Sequence, residues 1–99
     1  MISLSWTDQS LISMDEIVEW YENKVNTNFA DSAKNKITNQ IFFYTKPPLS
    51  PNSLPDSDFY AGWKKLVIDG FPLIAYLRHI QNEEWEIMDV IHTSRKIPK

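Results

Sequence analysis

Asp69-Gly70 separates two β-prone runs, residues 63–68 and 71–78, and narrows the folding options more than any other feature of the chain. A tight hairpin of type I′ needs positive φ at both central residues, so Asp-Gly between alternating runs is the strongest short hairpin signal. A second turn at Asn82-Glu83 and a further run over 85–92 extend the hairpin into a three-stranded meander. With a two-residue turn, Ile68 stands opposite Phe71, Leu66 opposite Leu73 and Lys65 opposite Ile74, and alternation sorts the side chains onto two faces. One face takes Leu66, Ile68, Phe71, Leu73, Ala75, Leu77, Met88, Val90 and His92. The other takes Trp63, Lys65, Val67, Pro72, Ile74, Tyr76, Arg78, Ile87, Asp89 and Ile91, and Arg95 if the register runs on into the tail over 93–99.

Upstream, Ile2-Ser3-Leu4-Ser5-Trp6 alternates apolar and polar residues, as a half-buried strand does. Thr7 or Asp8 then caps a helix over roughly 8–24, whose stripe is Leu11, Met14, Ile17, Val18, Tyr21 and Val25. A polar turn at Asn26-Thr27-Asn28 leads, with Thr27 or Asn28 as cap, into a second helix. Its stripe is Phe29, Ala33, Ile37, Ile41 and Tyr44, and it ends before Lys46-Pro47-Pro48. Four prolines over residues 47–58 mark a loop, because proline has no N–H to give a helix or a sheet ladder. The expected order is β-α-α-β-β-β: an α+β fold with a helical hairpin packed on the aliphatic face of a small antiparallel sheet.

Composition bounds the function. Ninety-nine residues with 42% hydrophobic and 13% aromatic content fit a single domain over 1–99. The absence of cysteine excludes disulfides, thiolate metal sites and thiol nucleophiles, and no apolar run approaches the roughly 20 residues of a membrane span. The N-terminus lacks the basic and apolar regions of a signal peptide, so a cytoplasmic protein with no membrane partner is expected. A net charge of −3 and a pI near 5.2 do not favour polyanions, and sequence-specific DNA binding is not expected. Two glycines cannot build a phosphate-binding loop, and no cofactor is expected. Glu83, Glu84, Glu86 and Asp89 read as a solvated turn rather than a metal site. Asp15, Glu16, Glu19 and Glu22 form the wet side of the first helix, or a surface for a basic partner.

No helix remains to cover the second sheet face, where aromatics and cations mix with aliphatics. Two readings stand side by side. Either the face is a binding surface, or Lys65 and Arg78 snorkel at the rim of an ordinary second core.

The element order resembles that of the ParE/RelE toxins. Phe71-Pro72-Leu73-Ile74-Ala75-Tyr76 followed by Glu86-Ile87-Met88-Asp89-Val90-Ile91-His92-Thr93-Ser94-Arg95 looks like their C-terminal pattern of a Tyr-containing strand, a turn and an aliphatic strand ending Val-x-His-x-x-Arg. Trp6-Thr7 with Ile17 and Tyr21 is similar to the family's first strand and helix. Gly62-Trp63-Lys64-Lys65 stands where many members carry Gly-x-Arg, a departure because lysine cannot form arginine's bidentate fork. The resemblance implies a type II toxin masked by a cognate antitoxin. Trp63, Lys64, Lys65, Tyr76, Arg78, His92 and Arg95 become the candidate target- or antitoxin-binding residues, none of them catalytic and none binding metal. RelE-like members cut mRNA on the ribosome and ParE-like members inhibit DNA gyrase. The acidic chain and its tail Lys96-Ile97-Pro98-Lys99, without the Tyr or His of many nuclease members, favour the ParE-like branch; the mRNA endoribonuclease and an inactive partner-binding member are the alternatives.

Overall fold

The structure, a computed structural model, describes residues 3–47, 53–57 and 61–93. Strand β1 (Ser3–Trp6) runs into helix α1 (Asp8–Lys24) through Thr7, whose hydroxyl accepts the Ser10 N–H at 3.2 Å. That hydroxyl also shares its proton between the Ile87 and Met88 carbonyls, at 3.0 and 3.1 Å, so the cap ties the helix to the last strand. Helix α2 (Thr27–Thr45) is capped by Asn26, not by Thr27 or Asn28: the Asn26 side chain accepts the Phe29 N–H at 2.7 Å, and Thr27 is already helical. Strands β2 (Lys64–Ile68), β3 (Leu73–Gln81) and β4 (Glu84–His92) complete the expected β-α-α-β-β-β order.

The sheet order is β1-β4-β3-β2, with β2, β3 and β4 antiparallel. To this meander β1 adds a parallel neighbour of β4, from Ser3 opposite Glu84 to Trp6 opposite Ile87. A parallel pair needs a long crossover, and the helical hairpin supplies its first part. Met14, Ile37, Ile41 and Leu54 meet Leu66, Ile68, Leu73, Ala75, Leu77, Trp85, Ile87 and Val90 in the main core. Each large side chain buried there contributes about 1.5–3 kcal/mol. Tyr21, Ala30 and Ala33 form a smaller cluster with Phe71, where small side chains let the two helices approach.

The Asp69-Gly70 connection is longer than expected. Ile68 pairs with Leu73 rather than Phe71, and only Gly70 has positive φ, +83°, so the turn is not type I′. Gln40 on α2 grips it, donating to the Asp69 carbonyl at 2.9 Å and accepting the Asp69 N–H at 2.7 Å. The register moves by two residues, which preserves parity, so β2 and β3 keep their expected faces. The Asn82-Glu83 turn falls where the sequence puts it, between paired Gln81 and Glu84.

Parity fails on β4. An irregularity between His79 and Gln81 leaves Ile80 as an extra residue on β3, and another opposite Tyr76 and Leu77 leaves Met88 as an extra residue on β4. Between the two bulges the register is displaced by one. Ile87, expected on the open face, is therefore fully buried opposite Leu77 under the helices, and Trp85 joins it there. Met88, expected inside, is only half-buried. An unbulged register would have put Ile87 beside Arg78 and Glu86 under the helices; the bulges exchange them and remove a carboxylate from the core.

The helix stripes are also displaced. On α1, Leu11 is exposed and so is Val25 at its end, while Ser10 and Ser13 are buried. On α2 the buried row is Ala30, Ala33, Ile37, Ile41 and Thr45, with Phe29 and Tyr44 exposed. Proline does not exclude residues 53–57 from the fold. Leu54 enters the core, and the Pro55 carbonyl accepts the Lys65 N–H at 2.8 Å while Ser57 donates to the Trp63 carbonyl at 2.9 Å. Pro55 contributes only an acceptor to this edge, where its missing N–H costs nothing. Among the described residues, no helix is long and apolar enough to cross a membrane.

Candidate functional site

The sheet face away from the helices is a small grid. Lys65, Tyr76 and Asp89 lie in one row across β2, β3 and β4, and Val67, Ile74 and Ile91 in the next. Arg78 pairs with Glu86 in a third, with Trp63 flanking β2 at the same end. Of the sequence-predicted site residues, Trp63, Lys65, Tyr76 and Arg78 therefore share this face.

Their accessibility differs. Tyr76 is 3% exposed, its ring 6.2 Å from that of Trp63, so it forms the floor of the face rather than a free contact. Arg78 Nε donates to a Glu86 carboxylate oxygen at 2.9 Å, and its terminal nitrogen reaches the same oxygen. At an exposed site such a pair contributes about 0–1 kcal/mol, so a partner can take over the guanidinium cheaply. Among the described residues no carboxylate pairs with Lys65. Val67, 59% exposed, gives the face an apolar edge.

Two predicted residues do not join them. Lys64 alternates with Lys65 onto the other side of β2, and its Nζ is held by Asp56 at 2.6 Å. His92 pairs with Leu73 and lies on the helix side of β4, where the sequence placed it. Arg95 lies outside the described residues. Asp89 is in the open-face register, yet its carboxylate accepts the buried Ser13 hydroxyl of α1 at 2.5 Å and the Val90 N–H at 2.8 Å. Glu86, Asp56 and Ser13 were not foreseen as partners, since each contact depends on a bulge or on the loop's return to the sheet edge.

The face has cations, an aromatic floor and an apolar edge, and neither histidine lies on it. His79 Nε2 is 2.8 Å from the Asn82 carbonyl, its ring against Trp85. No group of three or more His, Cys, Asp or Glu side chains that could hold a metal occurs among the described residues. The geometry offers recognition by charge and shape.

No family model and no curated protein matches this chain. Among solved structures, a chain of the "Chromosomal ParDE TA system from P. aeruginosa" matches with a TM-score of 0.76 and 22% identity, over 93% of this chain and 96% of that one. The two chains share a fold. The likeness extends over nearly the whole chain, so the fold that carries the open face is one that the ParDE chain also has.

Proposed function

We propose that this chain is a ParE-like toxin of a type II toxin–antitoxin pair, acting in the cytoplasm by binding DNA gyrase and neutralised by a cognate antitoxin. The observation that carries the reading is a fold shared with a ParDE chain, combined with an open face that holds Lys65, Arg78 and Trp63 but no histidine. Inhibition by binding needs a complementary surface. Cleavage of RNA needs in addition a base and an acid placed at the reacting oxygens, and the imidazoles lie elsewhere.

The test is supercoiling by purified gyrase with this chain added. Inhibition at stoichiometric concentration is expected, weakened about tenfold or more in a Lys65→Ala/Arg78→Ala double variant. Supercoiling that is unchanged at saturating protein would overturn the reading. Primer extension on translated messages separates the nuclease alternative, which requires new 5′ ends.

A further inference from the structure

A second surface lies at the β4 edge, beside α1. Strand β1 accompanies β4 only as far as Trp6 opposite Ile87, because Thr7 then turns the chain into α1. Past that point α1 runs beside β4, bridged by the Ser13–Asp89 hydrogen bond. Alongside opens a groove of about 410 Å³, walled by Glu16, Ile17, Trp20 and Tyr21 of α1 and by Val90 and His92 of β4. That volume is near the lower end of the range of about 300–1,000 Å³ found for ligand pockets, room for one or two large side chains but not for a helix.

Charge and shape define what fits. Trp20 stands at the groove 52% exposed, edge-on to Tyr21 at 5.1 Å, so it is an aromatic wall the core does not use. Exposed tryptophan at an apolar depression is the composition of a binding hot spot. Among the described residues no lysine or arginine lines the groove; Glu16 does, and α1 carries Asp8, Asp15, Glu19 and Glu22 besides, against Lys24 alone. The β4 edge is not offered for strand pairing at its start, since Thr7 occupies the Met88 carbonyl and the Asp89 carboxylate the Val90 N–H.

We propose that this groove docks a segment of a protein partner in which a large apolar side chain is flanked by cations. The apolar side chain sits against Trp20 and Ile17, and the cations meet Glu16 and Glu19. Side chains, not added backbone pairing, carry the recognition. The proposal does not require gyrase as the target of the open face.

The probe is a fluorescein-labelled peptide of alternating lysine and alanine around one central phenylalanine, followed by anisotropy. Saturable binding to the intact chain is expected, about tenfold weaker or worse for the Glu16→Lys and Trp20→Ala variants. Arg78→Ala should bind as the parent does, and circular dichroism establishes that each variant is folded. Glu16 is exposed, so its substitution reports on the groove even if the tryptophan variant misfolds. Absence of binding at millimolar peptide would overturn the proposal, as would equal binding of a peptide with glutamate for lysine or equal binding by Glu16→Lys. Loss of binding on methylating the peptide's backbone nitrogens would overturn its side-chain basis in favour of strand addition. Self-association that Trp20→Ala abolishes would assign the groove to a second copy of the chain instead.

Discussion

Along β2 and β3, residues facing the helices and residues facing away come from the same strands yet obey different rules. Leu66, Ile68, Leu73, Ala75 and Leu77 are all 4% exposed or less, whereas on the open face exposure runs from 3% at Tyr76 to 59% at Val67. Burial under the helices demands an apolar side chain at every position, and one requirement repeated five times can be read from alternation alone. The open face is assembled from unlike parts: an ion pair, an aromatic floor and an aliphatic edge. Alternation gives the side of each residue there, but not what it touches.

The sharpest way to break this comparison is to truncate one side chain on each face. Trp85→Ala should cost about 3–5 kcal/mol, because the ring is almost wholly buried in the main core. Val67→Ala, exposed on the other face, should stay within about 0.5 kcal/mol. Urea denaturation of both variants measures the contrast, and comparable losses would mean that the open face is a second core.

Ser13→Ala tests a bond that links α1 to a residue of the open-face register. Ser13 is 4% exposed and its hydroxyl is held by Asp89, so removal leaves a half-buried carboxylate with one donor fewer. A loss of about 1–3 kcal/mol is expected in the same denaturation experiment. A neutral result would mean that water satisfies Asp89 as well as Ser13 does.

The pattern of what the sequence reveals follows from the same contrast. Element order, both turns' locations and the faces of β2 and β3 were legible, because a shift of two residues at Asp69-Gly70 leaves parity intact. Ile87 and Trp85 were not, since a pair of compensating bulges leaves no composition signal; an unbulged register turns Glu86 toward the core, a sign that the solvated-turn reading of Glu86 passed over. Leu11 and Phe29 misled because helical periodicity is tolerant by one position: the close approach of the helices selects the small Ala30 and Ala33, and Ser13 turns to Asp89 of β4. Of the candidate site, Trp63, Lys65, Tyr76 and Arg78 were placed together by alternation. The Lys64–Asp56 pair was not legible, because Asp56 lies in a proline-rich segment that sequence rules assign to a loop.

Gly70→Ala isolates backbone conformation from packing. Its φ is +83° and a Cβ there would meet nothing within 4 Å, so only the left-handed backbone is penalised. About 1 kcal/mol is expected. Arg78→Ala should cost less, about 0–1 kcal/mol, since its partnership with Glu86 is solvent-exposed. If this variant nonetheless loses the proposed inhibition of gyrase while remaining folded, the two faces separate cleanly into one for stability and one for function.

The smallest effect is a pH dependence confined to the helix-covered side. Tyr21 packs between Phe29 and Phe71, and burial raises its hydroxyl above the ordinary value of 10.0. The folded chain thus holds that proton more tightly than the unfolded chain does. The associated stability is fully present below the unfolded value and is lost as pH rises through the folded one. Tyr21→Phe has no proton to lose, so the difference in urea midpoint between parent and variant should shift against the parent from about pH 8 to about pH 11. Every other ionisable group is common to both proteins and cancels in that difference. A constant difference across the range would show that Tyr21 is as well solvated in the folded chain as in the unfolded one, and would place the tip of the helical hairpin with the open face rather than with the core.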